Sequence, residues 1–242
     1  QDRGACGGLT LGSNIPIIAP SGNYKTIILT DFVRMGLDPA GNGALLLSKL
    51  QTLAARPEVD GVIVDVGAYS NVVNANSQAD ANAFLQCPYA KNLVAREIKK
   101  IINAYWDQNP LEYVVVIGND NIFPFYRYPD RALLASEKEY EPPVLDDTTS
   151  FASLTLGYVL SQDFYGTRLQ ITRNNTKLPI PELAVGRLVE DPADIITFLD
   201  IYLSDADGVI QPGSALVTGY DFLADAAVAI ASELEKGIDD DP

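Results

Sequence analysis

Residues 113–120 read YVVVIGND, a valine-rich run that halts at a glycine and a carboxylate. Two earlier stretches share this form: 26–31 (TIILTD) and 61–67 (GVIVDVG). Short β-branched runs without polar alternation suit strands buried on both faces. Helical periods lie between them. Residues 43–56 (GALLLSKLQTLAAR) place Leu46, Leu50 and Leu53 on one face, and Pro57 stops the run. Residues 92–109 (NLVAREIKKIINAYWDQN) do the same with Leu93, Ile98, Ile101, Ile102 and Tyr105, closed by Pro110. Strand, helix, strand, helix, strand is the rhythm of a parallel sheet wrapped by helices. The expected class is α/β, a mostly parallel sheet with helices on both faces in a Rossmann-like three-layer sandwich.

Four regions follow from this core. Residues 1–24, rich in Gly, Pro, Ser and Asn, form an N-terminal segment without a sustained period. Residues 25–120 form a first α/β subdomain. Residues 121–180 break the rhythm with prolines and aromatics and are expected to be an irregular insertion over one end of the sheet, with 157–160 pairing 169–172 as a hairpin. Residues 181–242 begin a second subdomain. There 182–188 (ELAVGRL) restores the strand pattern, and Asp191-Pro192-Ala193-Asp194 opens a helix that runs to about Ser204. A strand is expected over 214–220 (SALVTGY) and a helix over 225–236, with Gly237 as its stop.

Composition excludes several classes of function. The 242 residues are 47% hydrophobic and 20% charged, enough to bury a core without staples. No stretch approaches the roughly 18 uninterrupted apolar residues of a membrane span, so no membrane insertion is expected. Seventeen Lys and Arg against 32 Asp and Glu give a formal charge of −15, which repels phosphate backbones and makes nucleic acid an unsuitable partner. Histidine is absent, which removes every imidazole-based mechanism from within the chain. Cys6 and Cys87 either bridge as one disulfide or stand as two thiols. A thiolate at Cys87, at a helix entrance before Pro88, would gain acidity but has no histidine to pair with. The chain opens at Gln1 and closes on Asp-Asp-Asp-Pro, and the reading takes it as a piece of a longer protein.

Several strand ends carry acids: Asp31, Asp65, Asp120 and Asp221. Ligands of open α/β sheets bind beyond the carboxyl ends of strands, and neighbouring acids there would hold Ca²⁺ or a cationic group. Against this stands helix and turn capping, the favoured reading for Asp31 and Asp65. Asp120 and Asp221, each in a glycine-containing turn, remain the candidate metal ligands. No phosphate cradle of the GxxxxGK[ST] or GxGxxG kind is present. Asn174-Asn175-Thr176 has the form of a glycosylation acceptor.

From Tyr113 onward the chain resembles a known family. Residues 113–125 (YVVVIGNDNIFPF) are similar to the strand and "GD..IP" turn of gingipain-type cysteine peptidases, which have a caspase-like fold. Residues 161–166 (SQDFYG) resemble that family's "sD.yYg" segment, and 181–188 (PELAVGRL) its "pdiavGRl" strand. Residues 25–110 share only the βαβ rhythm. The family's catalytic His and Cys follow the unit corresponding to 214–236, and this chain has no His and both cysteines upstream of the matching motifs. The resemblance therefore implies the N-terminal part of a secreted peptidase domain without its dyad, inert alone, with a polypeptide substrate and a downstream catalytic segment as partners. It also implies that Asp225 receives a basic P1 side chain, with Asp221 beside the cleft or in a Ca²⁺ shell. The local alternative is that Asp225 caps a helix beginning at Ala226. A second class of function is a non-catalytic cell-surface α/β scaffold or binding module, possible calcium binding included. A nucleotide-dependent enzyme has no motif behind it.

Overall fold

A computed structural model describes residues 7–10, 12, 16–81, 84–142, 144–173, 176–204, 214–219 and 221–239. In chain order the regular elements are β1 (Thr26–Thr30), α1 (Ala44–Ala54), β2 (Gly61–Asp65), α2 (Ser70–Ala79), α3 (Pro88–Gln108) and β3 (Tyr113–Ile117). Then come β4 (Tyr126–Pro129), α4 (Thr149–Thr155), β5 (Tyr158–Ser161), β6 (Leu169–Arg173), β7 (Thr176–Ile180), β8 (Ala184–Leu188), α5 (Pro192–Ser204) and α6 (Ala224–Asp239). One compact unit covers residues 1–200 and a second covers 201–242.

The first unit is built on a four-stranded, all-parallel sheet in the order β2-β1-β3-β8. β1 is central and buried along its whole length. Its register sets Leu29 between Val64 and Val116, and Ile28 between Ile63 and Val115. Successive side chains of a strand point to opposite faces, so the sheet buries two layers. Ile27, Leu29, Val64, Val114 and Val116 join one core with Val72, Ala75, Val94, Ile98, Ile101 and Ile102 of α2 and α3. Ile28 belongs to the opposite face, where α1 buries Leu46, Leu50 and Leu53 at the expected spacing. The Lys49–Asp200 ion pair ties α1 to α5. A side chain of this size, fully buried, contributes about 1.5–3 kcal/mol, so these two layers outweigh any single polar contact.

Several expectations need correction. A helix, α2, fills the stretch after β2. Its sequence SNVVNANSQA is poor in helix formers, but Val72, Ala75 and Ala79 recur at helical spacing and are buried against α3. Packing wins over propensity there. α3 starts at Pro88, where the fixed φ of proline suits a first turn, rather than at Asn92. The expected 157–160 with 169–172 hairpin does not form. β5 pairs antiparallel with β4, and β6 with β7 across positions 174–175. The proline in Tyr126-Arg127-Tyr128-Pro129 hides that strand from a pattern reading, yet it sits at the strand's last position, where a missing N–H is tolerated. Asn174 and Asn175, the first two residues of the glycosylation tripeptide, lie outside the described residues.

In the second unit, residues 214–219 carry no ladder pairing among the described residues, and Leu216 is 89% exposed. A strand exists through its neighbour's hydrogen bonds, so among the described residues 214–219 do not form the expected strand, and Tyr220 lies outside them. α6 begins at Ala224 and runs past Gly237 to Asp239, because a glycine within a helix costs only about 1 kcal/mol.

Candidate functional site

From the junction of the parallel neighbours β1 and β3, chain order steps outward to β2 on one side and to β8 on the other, making it the switch point beyond whose carboxyl ends open α/β sheets form crevices. Asp31 follows β1 and is buried, with its Oδ1 accepting the Arg34 amide at 3.0 Å. Burial lifts its carboxyl above the ordinary range against the pull of that amide, and the charge of Asp65 adds to the rise. Asp65 Oδ1 accepts the Gly67 amide at 3.1 Å and caps the short 3-10 turn over Val66–Ala68. A Cβ at Gly67 would stand 2.7 Å from Asp31 Oδ1 and 3.2 Å from Asp65 Oδ1. The two carboxylates thus converge on one stretch of backbone, and both do the local capping that their positions favour.

Around them a polar clasp joins four elements. Arg34 donates to the Asn121 carbonyl from Nε (3.0 Å) and Nη2 (2.6 Å), and from Nη1 to Asp80 Oδ2 at 2.6 Å. Buried Lys91 donates to Asp80 Oδ1 at 3.1 Å. Burial alone would raise the Asp80 carboxyl, but Arg34 and Lys91 hold it below the ordinary range. The loops after β1 and β3, the end of α2 and the start of α3 are therefore stitched together at this edge of the sheet.

Asp120, a candidate metal ligand by sequence, is held by the protein's own donors. Its Oδ1 accepts Arg127 Nη1 at 2.7 Å and the Phe125 amide at 2.7 Å. Its Oδ2 accepts Arg127 Nη2 at 2.5 Å and Ser150 Oγ at 2.6 Å. Arg127 is fully buried. Burial would raise the carboxyl, and the Arg127 charge and hydrogen bonds overcome it and hold it low. Both oxygens already serve a guanidinium fork, so the donor set does not fit a calcium ion. Among the described residues no three acids, cysteines or histidines gather as metal ligands. Asp221 opens a 3-10 turn over Asp221–Leu223 in the second unit, and exposed Asp225 follows in the first turn of α6. Asp225 Oδ1 accepts the Ala226 amide at 2.9 Å, but from inside the helix rather than before it. Cys87 is disulfide-bonded and so is no thiolate, and Cys6 lies outside the described residues.

Sequence reasoning missed a residue that organises this edge: Arg187, at the end of β8. Its Nη1 donates to the carbonyls of Gly118 (2.7 Å) and Phe123 (3.0 Å), and its Nε to Gln162 Oε1 at 3.3 Å. Its guanidinium lies 4.2 Å from the Phe125 ring centroid. Burial of the group depresses its pKa, and Nη2 is buried with no partner among the described residues. Gly118 makes the turn possible at φ +124, a conformation side chains resist. Tyr165 Oη donates to the Pro124 carbonyl at 2.6 Å, and the Tyr165 carbonyl accepts buried Lys99 at 2.6 Å. Glu182 and Leu183 amides both donate to the Gly166 carbonyl. The three segments 113–125, 161–166 and 181–188, far apart in sequence, are one hydrogen-bonded body. A lone arginine inside an otherwise apolar strand was the available signal, since a charge brought under cover needs hydrogen-bond partners for most of its donors.

No family model, curated protein or solved structure matches the chain. No helix among the described residues is long and apolar enough to cross a membrane.

Proposed function

We propose that this chain supplies the framework and part of the substrate-recognition surface of a secreted gingipain-type cysteine peptidase of caspase-like fold, and contributes no bond-breaking group of its own. The observation that carries the reading is the Arg187 clasp. The three segments that resemble the family are welded to one another at the carboxyl edge of a parallel sheet, the edge where α/β enzymes place their chemistry. Three unrelated likenesses would have no reason to meet in one network.

The division of labour follows from the residues. With no histidine in the sequence and Cys87 disulfide-bonded, no Cys–His nucleophile can be assembled from the described residues. The acid available for a basic P1 side chain is Asp225, exposed and in no ion pair among the described residues. A carboxylate facing a guanidinium discriminates by charge and by bidentate geometry. A disulfide at Cys87 accords with an oxidising, extracytoplasmic compartment. The test is to incubate the purified chain with fluorogenic peptides bearing Arg or Lys at P1, and to measure binding of a cleavage-resistant Arg peptide in parallel. No turnover, with binding that weakens at least tenfold in Asp225→Asn, is expected. Turnover proportional to the concentration of the chain, or binding indifferent to Asp225, would overturn the reading.

A further inference from the structure

We infer that the loop after β4 is a processing site, cut between Arg131 and Ala132 by an arginine-directed endopeptidase to give a two-chain molecule that stays assembled. This stands apart from the peptidase reading and holds or fails without it. Asp130 ends the β4–β5 pairing, its amide donating to the Gly157 carbonyl at 2.8 Å. Its carboxylate then clasps the loop, with Oδ1 accepting the Ala132 amide and Oδ2 the Glu137 amide, both at 2.8 Å. These bonds hold the carboxyl below its ordinary range. Between the two anchors, Arg131 and Ala132 through Ala135 are all exposed, with Leu133 97% and Leu134 85% accessible. Among the described residues, no backbone hydrogen bond to another main-chain group engages residues 131–135.

An endopeptidase needs an accessible stretch that it can draw out into its cleft, and exposed loop tips with free backbone supply one. Here the scissile bond has a basic residue on its acyl side. Leu133 and Leu134, two and three positions beyond it, are exposed too, so no core packing holds the loop down on the side of the leaving amine. Hydrolysis adds water across the amide. The hydroxyl goes to the Arg131 carbonyl carbon and the hydrogen to the Ala132 nitrogen.

The pieces have strong reasons to remain together. β4 pairs with β5 from Tyr126 opposite Ser161 to Pro129 opposite Tyr158. Asp120 and Arg127, on one side of the cut, bind Ser150 and Ser153 on the other, at 2.6 and 3.3 Å. β8, also beyond the cut, lies in the main sheet beside β3.

The chain has 17 Lys and Arg, so trypsin can choose among many sites. Brief digestion of the native protein at a low enzyme ratio, followed by intact-mass measurement and gel filtration, is the experiment. The expected products are residues ending at 131 and residues starting at 132, co-eluting at the position of the uncut protein. Arg131→Gln should slow their appearance at least tenfold without changing the melting temperature. Asp130→Ala, which opens the clasp, should speed it severalfold. A first cut at any other basic residue between 25 and 200, Lys138 included, would overturn the inference. So would separation of the two pieces on the column.

Discussion

Replacing Asp120 by Asn tests the energetic core of the sheet edge. The carboxylate holds the fully buried Arg127 by a two-pronged contact and also takes the Ser150 hydroxyl and the Phe125 amide. At an effective dielectric of about 20, charges about 4 Å apart attract by roughly 4 kcal/mol. Removing one partner of a buried pair leaves the other charge stranded, at a cost of about 3–5 kcal/mol. Asn also turns an amide N–H₂ toward one guanidinium nitrogen. Urea unfolding of Asp120→Asn should therefore show a loss of about 3–5 kcal/mol, a large share of the roughly 5–15 kcal/mol typical of a domain. Asp120→Leu combined with Arg127→Met should recover at least half of that loss, because no charge is then left unpaired. The folded-state carboxyl lies below its ordinary value of 3.8. Its stabilisation is thus complete above about pH 4 and disappears as the pH falls through the lower, folded value. Wild-type protein should lose more stability on that acid limb than the Asn variant, in which Asp80 and the other depressed carboxyls still titrate but Asp120 does not. A single-variant loss below about 1 kcal/mol, or an unchanged acid limb, would refute the buried-pair reasoning.

Other consequences follow from particular contacts. Burial brings the Lys99 pKa down from 10.5 to about 7, so the unfolded chain holds more protons above that value. Stability should then rise between pH 7 and 9, and Lys99→Met should flatten that rise in urea titrations. A Cβ at Gly166 would meet the Leu183 carbonyl oxygen at 2.3 Å and Val185 Cγ2 at 2.8 Å, whereas nothing lies within 4 Å of one at Gly186. Gly166→Ala should cost about 1–3 kcal/mol or more by thermal melting, and Gly186→Ala should be neutral or slightly stabilising. Because Arg127 occupies both oxygens of Asp120, millimolar Ca²⁺ should raise the melting temperature equally, if at all, in wild type and Asp120→Asn. A rise seen only in the wild type would restore Asp120 as a metal ligand.

Local features were legible in the sequence and distant ones were not. The strands β1, β2 and β3 are short runs whose neighbours in the sheet are also apolar, and Leu46, Leu50 and Leu53 announce the buried stripe of α1 by spacing alone. Asp191 caps α5 as its position promises, accepting the Ala193 and Asp194 amides at 2.8 and 3.0 Å. Asp31 and Asp65 are likewise satisfied within three residues. Asp120 is different. Its side-chain partners stand seven and thirty residues away, so a strand-end acid that reads as a free ligand has both oxygens engaged by distant groups. Arg187 reaches back 64 and 69 residues to Phe123 and Gly118, and no periodicity encodes that return. α2 was hidden because its asparagines and serines argue against a helix, and only the presence of α3 beside it reverses the balance.

Reading the messenger RNA onward from codon 242 tests most directly whether these residues are the frame of a peptidase whose chemistry is furnished elsewhere. The expected continuation encodes two more apolar strands, the first closing on a histidine and the next on a cysteine. A stop codon directly after Pro242, or a continuation lacking either residue at a strand end, would contradict it.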